Sequence, residues 1–279
     1  MRSLPSLALL TALLLTSGAP SRGAELPKEV RDVQITEHLG SQLELAKYRF
    51  RDETGREVVL KDYFNRGRPV LLNLVYYECP NLCNFLLNGL VTGLKRLDWL
   101  PGREFEIVTV SINPHDAPSL AAAKKRAYLK SYGREAAESG WHFLTAPADG
   151  DEGPARALAT DVGFGYRYDA REKQYAHSAA IFLLTPEGKL SRYLYGIDFP
   201  AKELRLGLLE ASNGKVGTVV DRLLLFCYRY DPDARKYSLV LTRVMQAGSA
   251  GSVFFFGTYL GVFWVRQRRS EDEEEEKGV

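Results

Sequence analysis

The sequence predicts an α/β fold with a parallel sheet at its centre and an antiparallel hairpin added late. Three observations carry that prediction. Residues 69–75 and 105–112 are dense in aliphatic and β-branched side chains, as strands buried on both faces are. Each run is followed by apolar residues at helical spacing, over 84–97 and 119–132. Residues 177–184 and 190–195 then read as two strands joined by the tight turn Thr185, Pro186, Glu187, Gly188. Alternating β and α segments give parallel neighbours, and a short turn gives an antiparallel pair.

The elements follow in order. Residues 25–45 are polar with scattered aliphatics and read as a loosely held leading segment. Residues 48–60 form a hairpin with Asp52 to Gly55 as the turn, and 61–64 a short helical turn. The strand 69–75 runs into Cys79 and Cys83, with a helix starting near Pro80. The strand 105–112 ends in a loop of turn formers, Asn113 to Pro118. An Ala-rich helix over 119–132, a short strand over 141–144, a helix over 154–162 and an extended piece from 166 lead to the late hairpin. A helix over 201–212 closes the domain, and an apolar helix over 216–228 follows it. This is the order of a thioredoxin-like fold preceded by an N-terminal hairpin. Open α/β sheets bind ligands beyond the carboxyl ends of their parallel strands. Cys79 and Cys83 lie there on the first strand, and Asn113, His115 and Asp116 on the second.

The two ends read as targeting segments. Residues 1–23 carry Arg2, an apolar run from Leu7 to Leu15, and Ser21 and Gly23 at the −3 and −1 positions of a cleavage site, a signal peptide pattern. Residues 244–265 are uncharged and about long enough to cross roughly 30 Å of hydrocarbon. A buried core helix is the competing reading. Arg266, Arg268 and Arg269 follow, which puts the C-terminus in the cytoplasm, and 266–279 reads as an acidic tail without structure. The expected organisation is therefore a signal over 1–23, a thioredoxin-like domain over 24–213, an extension over 214–243, a transmembrane helix over 244–265 and the tail. The soluble part is expected outside the cytoplasm, which for a bacterial chain means the periplasmic face of the inner membrane.

With 279 residues, 45% hydrophobic, 26% charged and a net charge of +2, the composition is globular and gives no support to a nucleic-acid partner. Three cysteines are too few for a disulfide-stapled scaffold, so the close pair points to chemistry. A helix N-terminus favours thiolate over thiol. As a dithiol the pair exchanges electrons, with Cys79 attacking and Cys83 resolving. As a dithiolate it binds a soft metal such as Cu(I), and an added imidazole would suit Cu(II) as well. Oxidation of one cysteine to a sulfenic acid, as in a sensor or peroxidase, is a third use. Of the four histidines, His38 reads as solvated and His142, between Trp141 and Phe143, as packed. His115 lies in a loop at the active end of a strand, and His177 opens a late strand. Either is a metal ligand or an ordinary polar residue on spacing alone. Cys227 reads as a buried thiol in an apolar helix or as a docking or relay residue near a membrane.

Three stretches together resemble the Sco/SenC family: Cys79-Pro80-Asn81-Leu82-Cys83, Ser111 to Pro118, and Ala176-His177-Ser178-Ala179-Ala180 before a hairpin ending in Arg192 to Gly196. The similarity runs from about Val33 to Gly196. The resemblance implies a thioredoxin-like, membrane-tethered copper protein that helps assemble the CuA centre of cytochrome c oxidase subunit II or serves another copper protein. It implies Cys79, Cys83 and His177 as ligands of Cu(I) or Cu(II). A reductase acting on the partner's cysteines, itself served by a periplasmic thiol reductant, is the alternative. Three departures stand out. Asn113 replaces the aspartate usual in the family, Ser178 stands where several similar sequences have proline, and the expected tether is C-terminal rather than N-terminal.

Overall fold

The computed structural model describes residues 32–64, 66–79, 82–212, 228–231, 236–239 and 241–276. The segment 1–23, expected to be a signal peptide, and Cys227 lie outside these residues.

A single 3-10 turn, Leu45–Lys47, leads into the hairpin of β1 (Arg49–Arg51) and β2 (Glu57–Val59). Its turn is organised by Asp52, whose Oδ1 accepts from the Thr54 N–H, the Thr54 hydroxyl and the Arg56 N–H. Burial opposes the charge on Asp52, but these bonds outweigh it and hold the carboxyl below its usual range. Next come β3 (Val70–Val75), α1 (Leu82–Lys95), β4 (Glu106–Ser111), α2 (Pro118–Tyr132) and β5 (Trp141–Leu144). After α3 (Gly153–Asp161), β6 (Tyr166–Asp169) and β7 (Gln174–His177) form a separate two-stranded ribbon. Then β8 (Ala180–Leu184), β9 (Leu190–Tyr195) and α4 (Ala201–Ala211) complete the domain.

The main sheet has the order β5-β4-β3-β8-β9. The first three strands are parallel, and β8 and β9 are antiparallel additions, as the sequence predicts. Every residue of β3, β4 and β8 is buried, which is why these strands read as continuous apolar runs. Helix α1 buries Cys83, Leu86, Leu87, Leu90, Val91 and Leu94, the stripe that a 3.6-residue period places on one face. Its close approach to the loop before α4 depends on glycine. A Cβ on Gly89 would stand 1.7 Å from the Ile197 carbonyl oxygen.

The structure corrects several expectations. The leading segment is not loose. Ile35 bridges to Phe164, the Thr36 N–H donates to the Gly163 carbonyl at 2.8 Å, and the Gly165 N–H donates to the Gln34 carbonyl at 2.9 Å. His38 is held rather than solvated. Its N–H donates to the Tyr193 hydroxyl, and its Nδ1 lies 3.0 Å from the Asp161 carbonyl oxygen. His177 does not open β8 but ends β7. Ser178 and Ala179 step between the two strands, with the Ser178 hydroxyl bonded to the Val33 carbonyl.

At the C-terminal end, the apolar helix expected over 216–228 falls largely outside the described residues, but Tyr228 begins a strand. β10 (Tyr228–Asp231) pairs with β11 (Lys236–Leu239). Helix α5 spans Leu241–Glu276 and so continues through the acidic run read as an unstructured tail; glutamate is a good helix former. The expected membrane span over 244–265 is not supported. Among the described residues no helix is long and apolar enough to cross a membrane. Gln246, Gly248, Ser249, Gly251 and Ser252 dilute its first half. The apolar-rich remainder, 253–264, rises only about 18 Å.

Gly→Ala in a helix interior ordinarily stabilises by about 0.5–1 kcal/mol. Gly89→Ala is expected to reverse that sign and cost about 1–3 kcal/mol, because the backbone of Ile197 must move. Urea denaturation of the two proteins checks it; an unchanged or raised midpoint would contradict the packing described.

Candidate metal and thiol site

The site begins where β3 ends. Tyr76 and Tyr77, both buried, lead from the strand into a turn, and the Cys79 N–H turns back to the Tyr76 carbonyl at 3.3 Å. Helix α1 then starts at Leu82, so Cys83 lies in its first turn and is the first member of its buried stripe. Pro80 and Asn81 lie outside the described residues. The Cys83 N–H, one of the donors that a helix start leaves unpaired, points at the Cys79 sulfur at 3.3 Å. The Tyr76 N–H approaches the Cys83 sulfur at 3.5 Å. Asn84 ties this turn to α2. Its amide donates to the Cys79 carbonyl at 2.9 Å, and its Oδ1 accepts from Lys124 and from the Tyr128 hydroxyl. Both sulfurs are thiols, with Cys79 5% and Cys83 2% exposed.

The third residue arrives from a different element. His177 ends β7, and its Nε2 lies 3.4 Å from the Cys83 sulfur. Its Nδ1 is 2.8 Å from the Ser178 carbonyl oxygen. A carbonyl only accepts, so Nδ1 carries the proton and the Nε2 lone pair faces the cysteine. Phe164 packs on the ring with centroids 5.5 Å apart, and Tyr76 meets it edge-on at 6.3 Å. Burial lowers the His177 pKa, which keeps the imidazole neutral.

The electrostatics depart from expectation at Cys83. Helix position alone predicts two activated thiols. Instead, the Cys79 sulfur beside it and its burial together push the Cys83 thiol up. Two sulfurs this close, away from water, do not both ionise without a cation between them. The donor set fits such a cation. Bonds of about 2.3 Å to sulfur and about 2.0–2.1 Å to nitrogen, as at a tetrahedral zinc, put the two atoms roughly 3.6 Å apart across one metal, near the separation seen here, and thiolate with imidazole suits a soft ion. Among the described residues no three His, Cys, Asp or Glu side chains already stand gathered at metal-holding geometry. The pair in place is Cys83 with His177, and Cys79 adjoins it.

Elsewhere the sequence candidates separate. His115 is exposed on the loop after β4, its N–H bonded to Asn113 Oδ1. It borders a cleft of about 670 Å³ beside the cysteine loop, shared with Tyr76, Glu78, Tyr168, Lys173 and Tyr175. His142 is packed as expected. Its Nε2 meets Glu106 at 3.1 Å, at the end of the sheet far from the cysteines, where Arg68 also pairs with Glu106 at 2.5 Å. What sequence reasoning missed is the reach of Asp116. It lies in the loop already singled out, but its buried carboxylate accepts the Tyr77 N–H of the cysteine loop at 2.6 Å, a link across 39 residues with no periodic signal.

A thioredoxin-like sheet with a dithiol and an imidazole at the carboxyl end of its first parallel strand defines a metal-binding or thiol-exchanging protein. The model of the family described as SCO1/SenC matches residues 36–205, and the chain belongs to that family. Among solved structures it is similar to an electron transfer protein from Aquifex aeolicus described as putative, with 22% identity, 62% of this chain and 94% of that one covered, and a TM-score of 0.52. Lower similarity links it to Arabidopsis thaliana ScoI with copper bound (18% identity, 60% and 92% covered, TM-score 0.43). The same holds for BsSco, "a member of the Sco family of cytochrome c oxidase assembly proteins" (18%, 64% and 98%, 0.48). No curated protein sequence matches the chain.

Because the Cys83 thiol is buried and pushed up, site-resolved alkylation at pH 8 is expected to label it more slowly in the native protein than after unfolding in urea. Equal rates would contradict the burial described.

Proposed function

We propose that this chain binds one copper ion through Cys79, Cys83 and His177 and passes it to the CuA centre of cytochrome c oxidase subunit II, or to another copper protein. The observation that carries this reading is the 3.4 Å approach of His177 Nε2 to the Cys83 sulfur, with the Cys79 sulfur 3.3 Å from the Cys83 backbone nitrogen. Thiol exchange has no need of that imidazole. Family membership supports the reading. Copper is cargo here. Binding releases the thiol protons, and the cation removes the repulsion that keeps Cys83 protonated. The histidine needs no proton change, being neutral already. Transfer then proceeds by ligand exchange with the recipient's own thiolates. The signal peptide pattern over 1–23 supports a location outside the cytoplasm, in the periplasm.

A second reading is favoured by the helix N–H aimed at Cys79, which stabilises a thiolate there. Cys79 attacks a disulfide of the partner, releasing one partner thiolate. Cys83 attacks the mixed disulfide, releasing the second. The chain is left as the Cys79–Cys83 disulfide, which an external thiol reductant returns to the dithiol.

Titration of Cu(I) and Cu(II) into the full chain and into His177→Ala separates the readings. The variant is expected to lose at least about 10–100-fold in Cu(II) affinity, the range lost when even an outer partner of a metal ligand is removed, with a changed absorption spectrum. Unchanged affinity and spectrum would sink the three-ligand site. A wild type that binds no copper but exchanges disulfides readily would establish the reductase.

A further inference from the structure

The buried carboxylate of Asp116 is 2% exposed and ligates nothing in the site described above. Its Oδ2 accepts the Tyr77 N–H and the Ser111 hydroxyl, each at 2.6 Å, and its Oδ1 accepts the Asn113 amide at 2.9 Å. Asn113 turns its own Oδ1 to the His115 N–H at 3.1 Å. Tyr77 is anchored at its other end as well, with its hydroxyl 2.8 Å from the Leu144 carbonyl oxygen and 3.1 Å from that of Thr109. With its ring fastened in the sheet and its N–H fastened to Asp116, Tyr77 has one backbone position. Cys79 follows two residues later, its N–H folded back on Tyr76.

We infer that Asp116 is the positioning residue of the dithiol. Through the Tyr77 N–H it fixes the turn that sets Cys79 against Cys83, and Asn113 serves it as an amide donor. The inference deepens the proposed function but rests only on Cys79 and Cys83 being its reactive pair, and it needs no metal. It also gives the departure at Asn113 a physical meaning. A carboxylate at 113 would stand against the Asp116 carboxylate away from water, and one of the two would have to take a proton. The amide satisfies the same oxygen without a second charge. Exchanging the two side chains preserves every bond, with donor and acceptor reversed only in the one between 113 and 116. An amide at 116 still accepts the Tyr77 N–H and donates to a carboxylate at 113, which still accepts the His115 N–H.

The test uses the purified full chain as wild type, Asp116→Asn and the exchange Asn113→Asp/Asp116→Asn. The thiol–disulfide equilibrium of the Cys79/Cys83 pair is set against a glutathione couple and read by mass spectrometry on the peptide carrying both cysteines. Urea midpoints are measured in parallel. Asp116→Asn is expected to shift the equilibrium at least about tenfold toward the dithiol, or about 30 mV for a two-electron couple, because a loosened turn lowers the effective concentration of one sulfur at the other. The exchange is expected to bring it back toward wild type. No shift, or one toward the disulfide, would overturn the inference, whatever the urea midpoint does. So would an exchange variant that folds like the wild type yet stays shifted. If Asp116→Asn does not fold, Ser111→Ala removes one donor to the same oxygen; a smaller shift toward the dithiol supports the inference and none overturns it. The readout contains no copper, so this inference and the copper reading fail independently.

Discussion

The contact that the core packing around it serves to hold is that of one sulfur with one ring nitrogen, Cys83 Sγ against His177 Nε2. Neither group carries a charge as the domain folds. Cys83 is buried because it occupies the first place on the apolar stripe of α1, so the helix that fills the core also delivers a donor to the edge of that core. His177 is buried because Phe164 and Tyr76 close on its ring. Phe164 is in turn held by Phe182 of the central sheet, at 5.9 Å and edge-on, and by the leading segment bridged to it through Ile35. The chain before the first hairpin is therefore structural support for a residue some 140 positions later.

Keeping both groups neutral has a consequence for chemistry. A buried thiol with a second sulfur beside it favours its protonated form, and a buried imidazole favours its neutral form. The site thus folds without uncompensated charge, which in a low-dielectric interior is costly. On the proposed readings the thiol protons leave when a metal cation coordinates the sulfurs, or as one sulfur after the other attacks a partner disulfide and ends in a neutral disulfide bond. Both uses draw on the same stored preference, and the imidazole lone pair adds weight to the first.

Much of this was legible in the sequence. The strands β3, β4 and β8 are buried on both faces, so their apolar runs announce them. The stripe of α1 has the helical period, and the two cysteines sit at a strand end where ligands bind in such sheets. What escaped was set by partners distant in sequence. No local pattern shows that Thr36 and Gly163 lie in contact, although a Cβ on Gly163 would meet the Thr36 carbonyl oxygen at 1.7 Å. None shows that Asp116 reaches Tyr77. The strand read as 177–184 is two strands, because the apolar residues of β8 are continuous with a histidine that pairs elsewhere. At the C-terminus, apolar count alone overrated 244–265, where small and polar residues thin the run.

The placement of His177 is in the end a matter of register. In the β6–β7 ribbon it pairs with Tyr166, and the two strands contact only each other as a sheet. A slip by one residue would turn the imidazole to the opposite face and leave Cys83 without its neighbour. Two features oppose that slip. Tyr175 makes ring contacts with both Tyr166 and Tyr168, at 5.9 and 5.1 Å, while the Arg156 guanidinium lies 3.8 Å over the Tyr166 ring. The connecting turn is closed by Asp169, whose Oδ1 accepts the Arg171 and Glu172 N–H groups, and by Lys173 at a positive φ of 51°. Such pairs and turns are what set register in an isolated ribbon. The motif visible in the sequence holds the two sulfurs; the aromatic ladder of a short hairpin decides whether a nitrogen stands beside them.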